Sequence, residues 1–325
     1  MMYMRICVTG GNGMVGSCIK DITNQYPEHE FVFLHRDIGN HGVELTSKMC
    51  VLTYFSSQKF DAIIHLAASV GGLYKNMEKN VEMFNTNMVI NQNILEAAHK
   101  YNIQRGIFCL SSCIYPPKPS KFPMDETMIH ERPPHPSNEG YAYAKRMLEV
   151  QCRNYNKAYG REYICVVPVN MYGPYDNFNL TDGHLIPMVM HRFYKNLQWR
   201  HHNPGGDFIA YGTGSPLRQF LFAPDFAKII CEILIGEKYK NTEPLICCNN
   251  NELEIKEVIE TLADTMSIPR NEINWDTTKS DGCMKKTVTN NKFKSIYPDF
   301  KFTNLKDGLE YTYAWFCANY KTIRQ

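Results

Sequence analysis

The chain has 325 residues, enough for one large domain or two closely joined ones. Hydrophobic residues make up 44%, charged residues 21%, and the formal net charge is +2, which suits a soluble globular protein and disfavours nucleic-acid binding or an acidic tail. No apolar run approaches the length of a membrane span, and Met1-Met2-Tyr3-Met4-Arg5 lacks the build of a signal peptide.

In chain order, the apolar run Arg5-Ile6-Cys7-Val8-Thr9 reads as a buried strand. Gly10-Gly11-Asn12-Gly13-Met14-Val15-Gly16 follows at once, and Ser17 to Ile22 reads as a helix. Strand, glycine turn and helix start together form an anion site, where backbone N–H groups and the helix dipole meet a dinucleotide's phosphates. The next strand, Phe31–Leu34, ends in His35-Arg36-Asp37. About twenty residues past the glycines an acidic side chain favours NAD and a guanidinium favours the 2′-phosphate of NADP. Arg36 holds that place and favours NADP, while Asp37 beside it keeps NAD open.

Asp61 to Ala68 is a further buried strand, ending in small residues that leave room for a cofactor. Val70-Gly71-Gly72 is a flexible turn before a helix from about Val81 to Lys100, with Met83, Ile90, Ile94, Leu95 and Ala98 on its apolar face. The strand Gly106–Leu110 ends in Ser111-Ser112-Cys113-Ile114-Tyr115-Pro116, and a proline-rich stretch leads to a helix through Tyr141 and Lys145. Four residues apart, these two share a helical face, where the ammonium would lower the phenol's pKa. Ser111 supplies a hydroxyl for the same substrate oxygen, and Cys113 a potential base or nucleophile.

Tyr163–Pro168 is the next strand, and the sequence to Phe178 leaves it as a loop. Asp182 to Pro187 opens a helix toward Arg192, and Leu197 to Asp207 reads as polar and exposed, with His201-His202 in a solvated loop. Phe208–Tyr211 and Arg218–Phe222 are strands flanking the turn Gly212-Thr213-Gly214. Helices follow from Pro224 to Leu234 and from Ile255 to Met266, then the basic loop Lys279–Lys286 and a last helix. The twelve cysteines have irregular spacing and the eleven histidines no ligand pattern, so no metal is expected and the thiols read as reduced, in a cytoplasm-like compartment.

The expected fold is α/β: a Rossmann-like, doubly wound parallel sheet with a smaller C-terminal α/β substrate-binding domain. Residues 1–168, with 217–236, form the NADP-binding part, and 169–325 the interleaved substrate part.

The combination Gly10-x-x-Gly13-x-x-Gly16, Asp61-x-x-x-His65-x-Ala67-Ala68, Ser111 at a strand end and Tyr141-x-x-x-Lys145 resembles the extended short-chain dehydrogenase/reductase family. Val70-Gly71-Gly72, Ser111–Pro116, Asn170–Phe178, His184-Leu185-Ile186-Pro187 and Thr278–Gly282 sharpen the likeness to its members that epimerise and reduce GDP-linked 4-keto-6-deoxy sugars. The resemblance implies that Ser111, Tyr141 and Lys145 serve reduction, and Cys113 and His184 serve epimerisation at C3 and C5. It implies NADP(H) contacts at Gly10–Gly16, Arg36, Leu66, Ala67, Ala68, Leu110, Ser111, Tyr141, Lys145, Pro168, Asn170, Met171 and His184. GDP-sugar contacts fall at Ser112, Cys113, Asn170, Arg192, Tyr211, Arg218 and Asp281. Tyr211 and the loop Gly39-Asn40-His41-Gly42 depart from the family pattern. A homodimer paired through the helices at Val81–Lys100 and Tyr141–Tyr159 is expected. Competing readings are another nucleotide-sugar 4-epimerase or 4-reductase, a dehydratase, and a non-catalytic NADP sensor. Cys113 after Ser111-Ser112 argues against a dehydratase, and retention of both Tyr141 and Lys145 against a sensor.

Overall fold

Short apolar runs alternate with amphipathic helices through the first half of the chain, and that alternation builds one parallel sheet. The computed structural model describes residues 3–36, 41–200, 207–236 and 238–324. Asp37, Gly39, Asn40, His201 and His202 lie outside the described residues. The first half runs β1 (Met4–Thr9), α1 (Met14–Ile22), β2 (His29–Leu34), α2 (Lys48–Ser57), β3 (Ala62–His65), α3 (Leu73–Glu78), α4 (Asn80–Lys100), β4 (Arg105–Cys109), α5 (Glu139–Tyr159) and β5 (Glu162–Pro168). The second runs β6 (Asn170–Tyr172), α6 (Leu185–Arg200), β7 (Phe208–Tyr211), β8 (Leu217–Arg218), β9 (Phe220–Phe222), α7 (Ala223–Ile235), β10 (Leu245–Cys247), β11 (Leu253–Glu254), α8 (Ile255–Thr265), β12 (Ile273–Asp276), α9 (Asn291–Ile296) and α10 (Leu305–Asn319).

Six strands form the main sheet in the order β10-β5-β4-β3-β1-β2, every neighbouring pair parallel. Helices cover both faces, so Ile6, Cys7, Val8, Ile63 and Ile64 are fully buried. The chain leaves β1 toward β2 on one side, while β3 pairs on the other. That reversal opens a crevice at the strands' carboxyl ends. A second apolar cluster, including Phe178, Phe193, Phe208, Leu262 and Phe316, packs among α6, α8 and α10. Three two-stranded pairings accompany it: β11 with β8, β12 with β7, and β6 with β9.

Three segments differ from the sequence expectation. Asn170–Tyr172, expected in a loop, is β6, paired with β9. The helix toward Arg192 continues to Arg200, so Leu197–Arg200 are helical rather than loop. The run Arg218–Phe222 is not one strand, because the buried amide of Gln219 turns aside and binds both the N–H and the C=O of Val288, each at 2.9 Å. The sixth strand, β10, falls in the short apolar run Leu245–Cys248, which the sequence reading does not single out.

Candidate active site

Gly10 has φ +72°, and a Cβ there would lie 2.9 Å from the Ala67 nitrogen. A Cβ on Gly16 would sit 2.5 Å from the Gly10 oxygen. Only glycine allows this close passage of β1, β3 and α1. Helix α1 starts at Gly13 with no side-chain cap, so its first N–H groups are available to a ligand. They face a cavity of about 730 Å³ lined by Gly10, Asn12, Gly13, Met14, Val15 and Gly16. Gly11 does not line it; its N–H binds Leu34 O at 2.8 Å. Arg36 and Glu44 lie at one end of this cavity, and Leu66, Ala67, Ala68, Leu110, Pro168, Asn170 and Met171 along it.

The floor is held by His65, which is fully buried. Its Nδ1 pairs with Thr9 Oγ1 at 2.8 Å and its Nε2 with Asn91 Oδ1 at 3.1 Å. Thr9 Oγ1 in turn accepts the N–H groups of Leu66 and Ala67, both at 3.2 Å. Burial, with Lys145 adding to it, drives the imidazole down to about 3, so it is neutral at physiological pH. His65 thus ties β1, β3 and α4 together beneath the crevice.

Ser111, Ser112, Cys113, Tyr141 and Lys145 all line the same cavity. Ser111 caps the short turn Ser112–Ile114, its Oγ accepting the Cys113 N–H at 3.3 Å. Lys145 is buried, and its Nζ donates to Cys109 O at 2.7 Å. Its Nζ lies 5.8 Å from the Tyr141 ring centre. The expectation that Lys145 lowers the phenol's pKa is not what the structure has: burial pushes Tyr141 well above its ordinary value, and the Cys113 and Cys109 thiols add to it. The phenol is therefore neutral, a proton donor. Burial also raises the Cys113 thiol, opposed chiefly by the Lys286 ammonium.

A second cavity of about 210 Å³ adjoins the first, and Gly72, Leu73, Asn170, Met171 and His184 line both. Val70-Gly71-Gly72 acts here as a docking point rather than a flexible turn. The Gly72 N–H donates to Asp182 O at 3.0 Å, Lys75 pairs with Asp182 at 3.1 Å, and a Cβ on Gly72 would meet Gly183 O at 2.6 Å. These contacts fix the loop that carries His184 to the start of α6. Tyr211, Arg218 and Asp281 line the second cavity. Asp281 also holds the Gly212–Gly214 turn through the Thr213 N–H and hydroxyl, each at 2.8 Å. Arg192 lines neither cavity; its guanidinium stacks 4.1 Å from the Tyr211 ring centre and donates to Ile209 O at 3.0 Å. Its guanidinium thus lies against the ring that lines the second cavity.

Lys286 is a site residue the sequence reading missed. It lines the first cavity beside Cys113 and Arg218. Gln219 pins Val288, and the Leu217 N–H donates to Met284 O at 2.8 Å, so the segment bearing Lys286 is laid along β8. Asp176 and Arg324, also unassigned by sequence, line the same cavity.

An uncapped helix start, a glycine turn with no room for side chains and a long crevice at the strand reversal fit a dinucleotide. The family model described as "NAD dependent epimerase/dehydratase family" matches residues 6–243. The chain is 41% identical over 325 residues to the GDP-L-fucose synthase of Dictyostelium discoideum, covering 98% of this chain and 97% of that one. It is 38% identical to a probable GDP-L-fucose synthase of Drosophila melanogaster, covering 99% of each. The crystal structure of a GDP-L-fucose synthetase from Naegleria fowleri bound to NADP superposes with a TM-score of 0.88 at 36% identity, covering 99% of this chain and 95% of that one. The chain belongs to the NAD-dependent epimerase/dehydratase family, in the extended short-chain dehydrogenase/reductase group that includes the GDP-L-fucose synthases.

Proposed function

We propose that the chain catalyses the NADPH-dependent 3,5-epimerisation and 4-reduction of GDP-4-dehydro-6-deoxy-D-mannose to GDP-L-fucose. The observation that carries this reading is the meeting of the two cavities at Asn170, Met171 and His184, with Ser111, Cys113, Tyr141 and Lys286 on the wall of the larger one. A cofactor and a sugar nucleotide can therefore share one reaction centre. The relatives named above act as GDP-L-fucose synthases by their names, which supports the same substrate here.

Epimerisation beside a ketone removes a carbon-bound proton, moves its electron pair onto the carbonyl oxygen as an enolate, and returns a proton to the opposite face. Cys113 and His184 come from different loops and act as that acid–base pair. The hydroxyls of Ser111 and Tyr141 donate to the C4 oxygen and hold the enolate charge. NADPH supplies the hydride for C4 when bound. Tyr141, neutral in its buried setting, then gives its proton to the C4 oxygen. Lys145 keeps the end of β4 and α5 in register through Cys109 O and presents its charge beside the phenol. Tyr211, stacked on Arg192, offers a ring face to the nucleotide half of the substrate, with Arg218 and Asp281 on the same cavity wall.

The segments around the six-stranded sheet form the cofactor half, and those around the second apolar cluster the substrate half. The chain works as a cytoplasmic homodimer: α4 and α5 pack together yet leave Val81 at 74%, Val89 at 41% and Tyr159 at 58% exposure, apolar side chains spread along the pair that a two-fold partner would cover. A monomeric mass by light scattering at micromolar concentration would contradict the dimer.

The test of the activity is NADPH oxidation, followed by absorbance, with a panel of keto-sugar nucleotides. Turnover with GDP-4-dehydro-6-deoxy-D-mannose far above the others is expected. Turnover only with a UDP- or dTDP-sugar would refute the assignment, and binding of NADPH without any turnover would favour a sensor.

A further inference from the structure

We infer that Arg324, on the segment after α10, is a ligand of the cofactor's diphosphate. This rests on the cofactor reading above and goes beyond the glycine turn that the family resemblance implies.

A buried neighbour and one strand-like bridge fix the Arg324 backbone. Ile323 is buried in the second apolar cluster, the Phe178 N–H donates to Arg324 O at 2.9 Å, and Arg324 bridges to Asn177 in strand fashion. The loop that receives it, Gly173–Phe178, is itself attached to α1, because the Tyr175 hydroxyl donates to Asp21 at 3.2 Å. The main chain at Arg324 is thereby held on the cofactor side of the molecule. Its side chain stays exposed and lines the larger cavity together with Asn12, Gly13 and Met14.

Asp176 explains why a cation is needed there. It is only 2% exposed and lines the same cavity. Its Oδ1 accepts the Asn177 N–H at 2.7 Å, while its Oδ2 is buried with no hydrogen-bond partner. Burial raises the carboxyl, and nearby His184, the Asn177 N–H and, after them, Arg324 oppose that rise. A carboxylate beside a phosphate site is unfavourable unless a cation stands between them. The other described lysines and arginines lining this cavity have other places. Arg36 sits near Glu44, Lys145 is held by Cys109 O, and Lys286 lies beside Cys113. The N–H groups at the start of α1 take one side of the diphosphate; the Arg324 guanidinium takes the other.

The test is calorimetric titration of NADPH and NADH against the wild type, Arg324→Ala, Arg324→Lys and Arg36→Ala. The diphosphate is common to both cofactors, so Arg324→Ala is expected to raise both Kd values about tenfold, the loss of a charge-assisted hydrogen bond. Arg324→Lys should recover part of it, and Arg36→Ala should weaken NADPH selectively. The bridge to Asn177 uses main-chain atoms, so the Tm of Arg324→Ala should match the wild type. Unchanged Kd values for both cofactors overturn the inference, and so does a loss confined to NADPH, which would place Arg324 on the 2′-phosphate. If Arg324→Ala does not fold, Arg324→Lys and Arg324→Gln carry the same comparison. If the wild type binds neither cofactor, the cofactor reading fails instead.

Discussion

The Lys145 ammonium donates to the main-chain oxygen of Cys109 at 2.7 Å, and stands 5.8 Å from the centre of the Tyr141 ring one helical turn away. The lysine thus braces the end of β4 while its charge faces the phenol. With its hydroxyl proton kept in place by burial, Tyr141 is the donor for the C4 oxygen. Tyr141→Phe should lower the reduction rate by roughly 10²–10⁴-fold, the usual worth of a positioned general acid. NADPH affinity by calorimetry should change little. A reduction rate within a few-fold of wild type would remove Tyr141 from this role.

Cys113→Ser should separate the two chemistries. The volume change is small, so the cofactor crevice and the Ser111–Tyr141–Lys145 set should persist. A serine hydroxyl exchanges protons with carbon far less readily than a thiol, so deuterium incorporation at C3 and C5 should collapse. Slow reduction of unepimerised substrate to a different 6-deoxyhexose nucleotide is the accompanying outcome, read by NMR of the product. Wild-type exchange in this variant would make Cys113 a packed thiol.

Lys286→Met should move the pH dependence of that exchange. Burial raises the Cys113 thiol and the Lys286 ammonium opposes the rise. Without the ammonium the thiolate forms only at higher pH, so alkylation of Cys113 by iodoacetamide and the exchange reaction should both shift toward alkali. Unshifted profiles would mean that Lys286 serves only to bind substrate.

His65 predicts acid sensitivity. Its imidazole is held near 3 in the folded state against an ordinary 6.5, chiefly by burial. Above 6.5 neither state binds the proton, and this group contributes nothing to pH dependence. Between 6.5 and about 3 only the unfolded chain is protonated, so stability falls as pH falls, by up to about 1.4 kcal/mol per pH unit. In His65→Asn the urea midpoint should be lower at neutral pH but decline less steeply toward acid. An equal slope in both proteins would contradict the burial of a neutral imidazole.

Gly72→Ala tests the support of His184. The added methyl meets the Gly183 oxygen, so the His184 loop must retreat. C3 and C5 exchange should fall at least tenfold, and the weakening of NADPH binding should be smaller, since the glycine turn at the start of α1 is untouched. An unaffected exchange rate would show that the loop's seat on Gly72 does not place His184.

What the chain announces locally, it also builds. The strand–glycine–helix start and the Tyr141/Lys145 spacing need only neighbouring residues, and both were legible in the sequence. The stacking of Arg192 on Tyr211 is set by its position on α6 and by the fold of β7, so it cannot be read locally. Lys286 could not be read locally, because it reaches the site through the pairing of Gln219 with Val288, partners far apart in sequence. The place of β10 at the sheet edge beside β5 is likewise a long-range pairing that no local pattern states. Asp176 stands in the matched loop Asn170–Phe178, and its free Oδ2 is a property of the folded cavity alone.

The proposed chemistry, epimerisation and then reduction of a GDP-bound keto sugar in one site, leaves an isotopic record in its product. Incubating the protein with GDP-4-dehydro-6-deoxy-D-mannose and NADPH in D₂O, with NMR of the product, tests it most directly. The predicted result is GDP-L-fucose carrying deuterium at both C3 and C5. A reduced product that keeps the starting configuration and its protons at C3 and C5 would contradict it.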